Sequence, residues 1–275
     1  MKTRIKWGVA ALAASAALVA AFPGSGSAQN ARLQAFGISS DGTLVAAFKT
    51  DAPQVLDWVR TPTGLVTDTS LIGIDFRVQD GKLYVVGNYG GIYTVSLDAG
   101  SESTLTKVSQ LTVALKGTNF GVDFNPALDR LRVISDAGQN LRHDLNTNTT
   151  AIDSPLSANN VAAAAYTNND LNNDTATTLF DINADTDQVV IQSPTNNGTL
   201  VATGALGVNV APNAGLDIHS TLSNGKTVSN SAFGTFLAAN GSSTFYTVDL
   251  LTGAATPVGK FPLPISDVAV ALDSH

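Results

Sequence analysis

The chain has 275 residues, of which 15 are basic and 22 are acidic, so its formal net charge is −7 at pH 7. An acidic surface repels phosphate groups, which makes nucleic acid and anionic lipid poor partners. No cysteine is present, and this excludes disulfides, thiolate nucleophiles and cysteine-ligated metals.

The first 28 residues have the order of a secretory signal peptide. Three basic residues precede an uncharged apolar run at 7–22, and small residues follow it as far as Ala28. The run of 16 residues is shorter than the ~20 that a membrane-spanning helix needs. We therefore predict that cleavage after Ala28 releases an exported protein, periplasmic or extracellular, with no membrane span in residues 29–275.

A short phrase recurs along the mature chain. Residues 73–76, 121–124 and 215–218 read Gly-x-Asp followed by an apolar residue, and weaker copies stand at 163–166 and 267–270. The copies are 48, 42, 52 and 52 residues apart. A period of about 40–50 residues with four strands in each unit is typical of β-propellers.

Short runs of β-branched and aromatic residues between Gly, Asn and Asp turns predict the strands of each unit. In chain order the predicted strands are 33–38, 44–48, 55–59, 73–77, 82–87, 91–97, 105–109, 121–125, 130–135, 140–145, 150–153, 161–167, 178–182, 188–192, 200–203, 216–220, 233–238, 244–250, 256–260 and 267–272.

The two ends of the mature chain complement each other. The first unit begins with a second strand, 33–38, and the chain ends with a first strand, 267–272, that has no followers. Pairing these two would remove two open sheet edges. The sequence thus predicts one all-β domain, 29–275: a five-bladed propeller closed by its C-terminal strand. A six-bladed ring, with extra strands hidden near Ala214, and other all-β architectures are the alternatives.

The segment 121–142, GVDFNPALDRLRVISDAGQNLR, resembles the signature of the bacterial domain-of-unknown-function family DUF4394. Segments 73–76, 164–168, 196–200 and 204–208 resemble the same family, so the similarity covers roughly 33–272. The resemblance implies an exported, propeller-like protein. It implies no activity and no catalytic residues.

Asp75, Asp123 and Asp217 occupy one equivalent position of the repeat, and Ala165 and Ala269 occupy it in the other copies. Carboxylates at one level around an axis could hold a hard cation such as Ca²⁺. Because two of the five positions are alanine, we favour a structural role. The sequence then predicts three buried carboxylates that accept hydrogen bonds from backbone amides, with no metal between them.

No catalytic group stands out. The histidines His143, His219 and His275 have no metal-ligand spacing, and no Gly-x-Ser-x-Gly elbow singles out a serine. The sequence therefore favours a protein that is not an enzyme and needs no cofactor.

Ligand-binding residues are predicted in the loops between second and third strands and next to them, because a propeller gathers its loops at two faces. The candidates are Asn88, Tyr89, Asn119, Arg132, Asp136, Gln139, Asn140 and Arg142. Such a surface of amides and hydroxyls suits an extracellular carbohydrate or peptide. We predict a monomeric binding module, and the alternatives are a matrix protein or a cation-assisted hydrolase or lyase acting on polysaccharide or a lactone.

Intact mass spectrometry of the exported protein should give a chain that begins at Gln29, because Gly26 and Ala28 satisfy the small-x-small cleavage rule. A mature form that begins at Met1, or that stays in the membrane fraction, would contradict the predicted processing.

Overall fold

The computed structural model describes residues 32–98, 100 and 102–273, so the predicted signal peptide lies outside the described residues. Within these ranges the chain forms 20 β-strands and one short 3₁₀ turn at Thr195–Asn197. No helix in this part of the chain has the length and apolar character needed to cross a bilayer.

The first ten strands are β1 (Gln34–Ser39), β2 (Val45–Lys49), β3 (Leu56–Thr63), β4 (Leu71–Arg77), β5 (Lys82–Gly87), β6 (Gly91–Val95), β7 (Glu102–Gln110), β8 (Phe120–Asn125), β9 (Arg130–Ser135) and β10 (Asn140–Asp144). The second ten are β11 (Thr149–Ile152), β12 (Val161–Tyr166), β13 (Leu179–Asn183), β14 (Gln188–Gln192), β15 (Leu200–Ala205), β16 (Ala214–Ser223), β17 (Lys226–Leu237), β18 (Ser243–Val248), β19 (Ala255–Lys260) and β20 (Ile265–Val270).

These strands form three four-stranded sheets and one eight-stranded sheet. The three small sheets are the consecutive antiparallel sets β8–β11, β12–β15 and β16–β19. The large sheet consists of two such sets, β4–β7 and β20-β1-β2-β3, joined where β3 runs parallel to β7. That parallel contact covers only Thr61–Thr63 against Glu102–Thr104.

The two chain ends pair as the sequence predicts. Strand β20 lies antiparallel beside β1, with Ala35 opposite Val270 and Ile38 opposite Asp267. The C-terminal strand thereby becomes the first strand of the set that β1, β2 and β3 complete. The described termini are fastened to each other by main-chain hydrogen bonds, which need no disulfide.

The five first strands, β4, β8, β12, β16 and β20, form a closed cycle. Each one packs against the next, and β20 packs against β4. The glycine of the repeated phrase permits this approach, since a Cβ added to Gly121 would lie only 2.8 Å from the backbone carbonyl carbon of Ala163 on β12. The core lies between neighbouring sets of strands, where, for example, the rings of Phe36 and Phe76 meet edge to face at 5.8 Å.

One hairpin is much longer than its sequence pattern indicates. The predicted strand 216–220 is part of β16, and the predicted strand 233–238 overlaps β17, which ends at Leu237. β16 continues to Ser223 and β17 begins at Lys226, and a turn with positive φ at Asn224 and Gly225 joins them. The extension consists mostly of polar, exposed side chains, so it lacks the apolar alternation that indicates a strand. Residues 206–213, which precede Ala214 and would hold the extra strands of a six-bladed ring, belong to no strand.

Deleting residues 265–275 should destabilise the whole domain, because removal of β20 exposes the edge of β1 and opens the cycle of first strands. We expect a lower melting temperature and a larger tendency to aggregate, measured by circular dichroism and light scattering. Deleting only residues 274–275 is the matched control. Equal melting of the long deletion and the intact chain would contradict closure by β20.

Candidate functional site

Three carboxylates meet where the first strands meet. Asp75 on β4, Asp123 on β8 and Asp217 on β16 are 5%, 2% and 3% exposed. One oxygen of each lies within 4.8 Å of the others. The structure thus brings together the three aspartates that the repeat places at equivalent positions, and we call them the carboxylate ring.

Each carboxylate links its own first strand to the next one. Asp75 accepts hydrogen bonds from the backbone N–H of Phe76 at 2.7 Å and from the N–H of Phe124, on β8, at 2.7 Å. Asp123 accepts one from the N–H of Tyr166, on β12, at 3.0 Å. The predicted burial and backbone hydrogen bonding are confirmed for both residues.

The same pattern crosses the junction of the chain ends. Asp217 accepts hydrogen bonds from the N–H of Ile218, at 2.6 Å, and from the N–H of Val270 on β20. A fourth carboxylate continues the cycle, since Asp267 accepts the N–H of Ile74, on β4, at 3.0 Å. Sequence reasoning missed this role of Asp267, although the fifth copy of the phrase carries Asp at the position where three others carry Gly.

Burial makes these carboxyl groups hard to ionise. It raises the pKa of Asp75 and of Asp123 well above the ordinary value. The negative charge of Asp217 raises the pKa of Asp75 further, and the charge of Asp75 does the same for Asp123. Burial also raises the pKa of Asp217 to about 6 and that of Asp267 well above its usual range. No ion pair between described residues involves any of the four. The carboxylate ring can therefore hold protons, or a hard cation in their place.

A further acid is buried outside the carboxylate ring. Asp181 on β13 is fully buried, and neither of its carboxyl oxygens has a hydrogen-bond partner among the described residues. Burial raises its pKa well above the ordinary value, and the positive charge of Arg132 opposes that rise. The surroundings of Asp181 therefore disfavour its charged form, which the predicted strand 178–182 does not indicate.

Four of the predicted ligand-binding residues, Tyr89, Asn119, Asp136 and Gln139, belong to or contact one connection, 110–119, which leads from β7 to β8, and Asn88 immediately precedes Tyr89. Tyr89 accepts at its carbonyl from Gln110 Nε2 at 2.8 Å, and Asp136 accepts from the N–H of Asn119 at 3.0 Å. Gln139 accepts from the N–H of Lys116 at 2.9 Å. We name this surface the loop patch; it comprises Asn88, Tyr89, 110–119 and 136–139.

The polar side chains of the loop patch serve mainly to fix backbone groups, both in the patch and in the neighbouring connection from β3 to β4. Asn88 Oδ1 accepts from the N–H of Thr69 at 2.9 Å, and Asp136 Oδ1 accepts from the N–H of Thr118 at 3.0 Å. Tyr89 differs from them, since 63% of its surface is exposed. The loop patch is therefore a rigid surface from which one aromatic ring projects.

The other three predicted residues form a separate cluster around Asp153. Arg132 donates to Asp153 Oδ2 at 2.8 Å and to Asn140 Oδ1 at 2.6 Å, and Arg142 donates to Asp153 Oδ1 at 2.9 Å. The side chain of Arg132 is only 4% exposed, against 42% for Arg142. The guanidinium of Arg132 is thus engaged inside the protein, while Arg142 reaches solvent. Ligand binding by either group of residues stays a prediction.

A serine–histidine pair that the sequence did not indicate also proves to be structural. His143 is fully buried, with Nε2 2.7 Å from Ser109 Oγ and Nδ1 2.9 Å from Thr150 Oγ1. Ser109 donates its proton to Asn148 Oδ1 at 2.7 Å, an oxygen that also accepts the N–H of Gln110. His143 must then donate from Nε2 to the serine, so it is not a base that could activate Ser109.

Comparisons with known proteins give a family and distant structural likenesses. The model of a domain of unknown function, DUF4394, matches residues 44–269. No curated protein matches the sequence.

The chain is similar to the WD40 domain of a coronin from Toxoplasma gondii, with 14% identity and a TM-score of 0.42 over 80% of this chain and 54% of that chain. It is similar to an auxiliary nutrient binding protein from Bacteroides thetaiotaomicron, with 11% identity and a TM-score of 0.45 over 80% of this chain and 57% of that chain. It is also similar to TolB from Acinetobacter baumannii, with 11% identity and a TM-score of 0.48 over 88% of this chain and 67% of that chain. The chain thus spans little more than half the length of the first two.

The carboxylate ring predicts that stability falls as pH rises. The folded Asp217, with its pKa of about 6, keeps a proton that an unfolded aspartate, with its ordinary value of 3.8, has lost. The free energy of unfolding therefore decreases between about pH 4 and pH 6 as the folded Asp217 loses its proton. It decreases further above pH 6 as Asp75 and Asp123, whose pKa values are also raised, lose theirs. At lower pH the trend reverses, because the hydrogen bond from Arg77 lowers the pKa of Asp129 and that interaction is lost on protonation.

Melting temperatures of three variants, with and without calcium, test this reading. Asp123→Asn keeps an acceptor for Tyr166 and removes a charge, so its pH dependence should be flatter than that of the wild type. Asp123→Ala leaves the amide of Tyr166 unpaired, at a cost of about 1–3 kcal/mol. Asp51→Asn, at an exposed turn, is the control. A calcium-dependent rise that vanishes in both Asp123 variants would contradict the structural role and indicate a cation site.

Proposed function

We propose that this chain, which belongs to the domain-of-unknown-function family DUF4394, is an exported, five-bladed β-propeller that serves as a binding module for carbohydrate or peptide. Three features support the five blades: five four-stranded sets, a closed cycle of five first strands, and a parallel junction of only three residues between the outer strands β3 and β7. The signal-like residues 1–28 support export.

Binding by the loop patch rests on the exposed ring of Tyr89. The turn that carries Tyr89 is fixed on both sides, since its N–H donates to the buried Asp68 and its carbonyl accepts from Gln110. A surface that is already ordered loses little conformational entropy on binding. Tyrosine adds a large amphipathic contact area with few rotatable bonds. The loop patch thus has the rigidity and the aromatic contact that a carbohydrate or peptide site uses.

The carboxylate ring favours a second candidate function, a cation-assisted hydrolase or lyase that acts on polysaccharide or a lactone. Three convergent carboxylates are the ligand type that Ca²⁺ prefers. The melting series with calcium decides whether the ring takes a cation. Turnover of a polysaccharide or lactone, lost in Asp123→Asn, would then favour catalysis over binding.

Affinity electrophoresis against soluble polysaccharides, with a peptide array in parallel, tests the binding proposal. Tyr89→Ala should weaken retention about tenfold, equivalent to about 1.4 kcal/mol, whereas Tyr89→Phe keeps the ring and should bind nearly as the wild type does. Leu128→Ala, at a residue with similar exposure of 66% in the β8–β9 turn, is the matched control. Wild-type protein that binds no probe, or binding that Tyr89→Ala leaves unchanged, would contradict a site at the loop patch.

A further inference from the structure

A cavity of about 620 Å³ opens at the opposite end of the first strands from the loop patch. Its apolar lining includes Phe36, Phe76, Val78, Leu171 and Ala271. Phe76 and Ala271 stand at or just beyond the C-terminal ends of β4 and β20, whereas Asn119 of the loop patch precedes the N-terminal end of β8. We name it the end cavity, and its volume lies within the range of small-molecule sites.

Two elongated segments build one wall of the end cavity. First and second strands are joined by four residues at 78–81 and at 126–129, but by twelve at 167–178. This longer connection is tied to the extended β16–β17 hairpin, since Asp170 Oδ2 accepts the N–H of Thr227 at 2.8 Å. The wall is therefore an addition to the repeat, held in place by specific hydrogen bonds.

The polar side chains around the end cavity already have partners inside the protein. Gln34 Nε2 donates to the carbonyl of Phe48 at 3.0 Å, and Asn169 Nδ2 donates to the carbonyl of Ile218 at 2.8 Å. Asp273 Oδ2 accepts the N–H of Leu222 at 2.9 Å. A ligand rich in hydroxyl groups would lose hydration here and find few partners in return.

Apolar groups form most of the remaining wall. They include the edge-to-face pair Phe36 and Phe76 and, at the rim, Leu171, which is 61% exposed. Removing apolar surface from water is favourable by roughly 25 cal/mol per Å². The cavity therefore favours binding of a ligand with an aliphatic or aromatic body.

The ionisable side chains of the lining are both acidic, Asp170 and Asp273. Although burial opposes it, hydrogen bonds from Thr227 and from the N–H of Asn172 hold the pKa of Asp170 below its ordinary value, so the group is charged at neutral pH. A ligand carboxylate would be repelled by it.

We propose that the end cavity is a binding site for an uncharged molecule with an aliphatic body, such as a long-chain alcohol or ester. This site is separate from the loop patch, and its chemistry is opposite: apolar enclosure in place of an open polar surface. The failure of either site in binding tests leaves the other untouched.

Trp58 gives a direct readout. Its ring lies 5.9 Å from that of Phe36, which lines the cavity. Energy transfer from Trp58 to the uncharged probe N-phenylnaphthylamine should therefore report occupancy in the full processed protein. We expect dodecanol to displace the probe, dodecanoate to displace it less well, and maltose to leave it bound. Tighter binding of dodecanoate than of dodecanol would overturn the uncharged class, and displacement by maltose would overturn the apolar class.

Two variants locate the probe. Leu171→Glu adds a charge at the exposed rim, and Val78→Phe narrows the cavity without adding charge. Each should weaken probe and dodecanol binding about tenfold or more, whereas Leu251→Glu, at a residue that is 78% exposed and does not line the cavity, should bind as the wild type does. Wild-type affinity in Leu171→Glu and Val78→Phe, with melting temperatures unchanged, would overturn the site.

Discussion

The hydrogen bond that a backbone N–H donates to an aspartate carboxylate of the preceding first strand is the interaction on which four of the five contacts in the cycle depend. A first strand pairs with only one neighbour in its own sheet, so its other edge carries amides that need acceptors. Asp75, Asp123, Asp217 and Asp267 supply those acceptors for Phe124, Tyr166, Val270 and Ile74 in turn. Glycine at the start of the phrase lets the strands come close enough for this, as at Gly215, where a Cβ would lie 2.6 Å from Asp267 Oδ1. The repeated Gly-x-Asp is thus one device: the glycine gives proximity and the aspartate gives the bond.

The repeated Gly-x-Asp brings aspartate carboxyl groups close together without placing basic side chains beside them. The carboxyl groups of Asp75, Asp123 and Asp217 each have one oxygen within 4.8 Å of the others, and no ion pair between described residues involves them or Asp267. Because like charges at such distances cannot all ionise, the protonation of the ring and the closure of the fold are linked. Asp217 and Asp267 are the two that hold β20, the strand that joins the chain ends. Any agent that changes the charge of the ring, whether a proton or a cation, therefore acts on the contact that closes the cycle.

The sequence predicts the strand sets well and their mutual contacts only in part. Strands β5, β9 and β14 begin and end where the pattern places them, and the pairing of β20 with β1 follows from the two incomplete ends. Apolar alternation is a local property, so it is visible in one segment. The extended β16–β17 hairpin is polar and gives no such signal. The role of Asp267 and the bond from Arg132 to Asp153 depend on residues 193 and 21 positions away. The lack of hydrogen-bond partners around Asp181 likewise depends on how other strands pack against it. A repeat shows that positions are equivalent, but not what they touch.

The two ends of the first strands carry surfaces of different chemistry because the connections at the two ends differ in length and composition. At the end that carries the loop patch, connections of ordinary length are fixed by their own polar side chains, as Asp136 fixes Thr118 and Asn119. At the other end, a twelve-residue connection and a long hairpin rise above the strands and enclose apolar surface. The carboxylates lie on the first strands and accept hydrogen bonds from backbone N–H groups of those strands. A closed cycle whose first strands are joined by backbone-to-carboxylate hydrogen bonds can therefore carry two surfaces of different chemistry, one at each end of those strands.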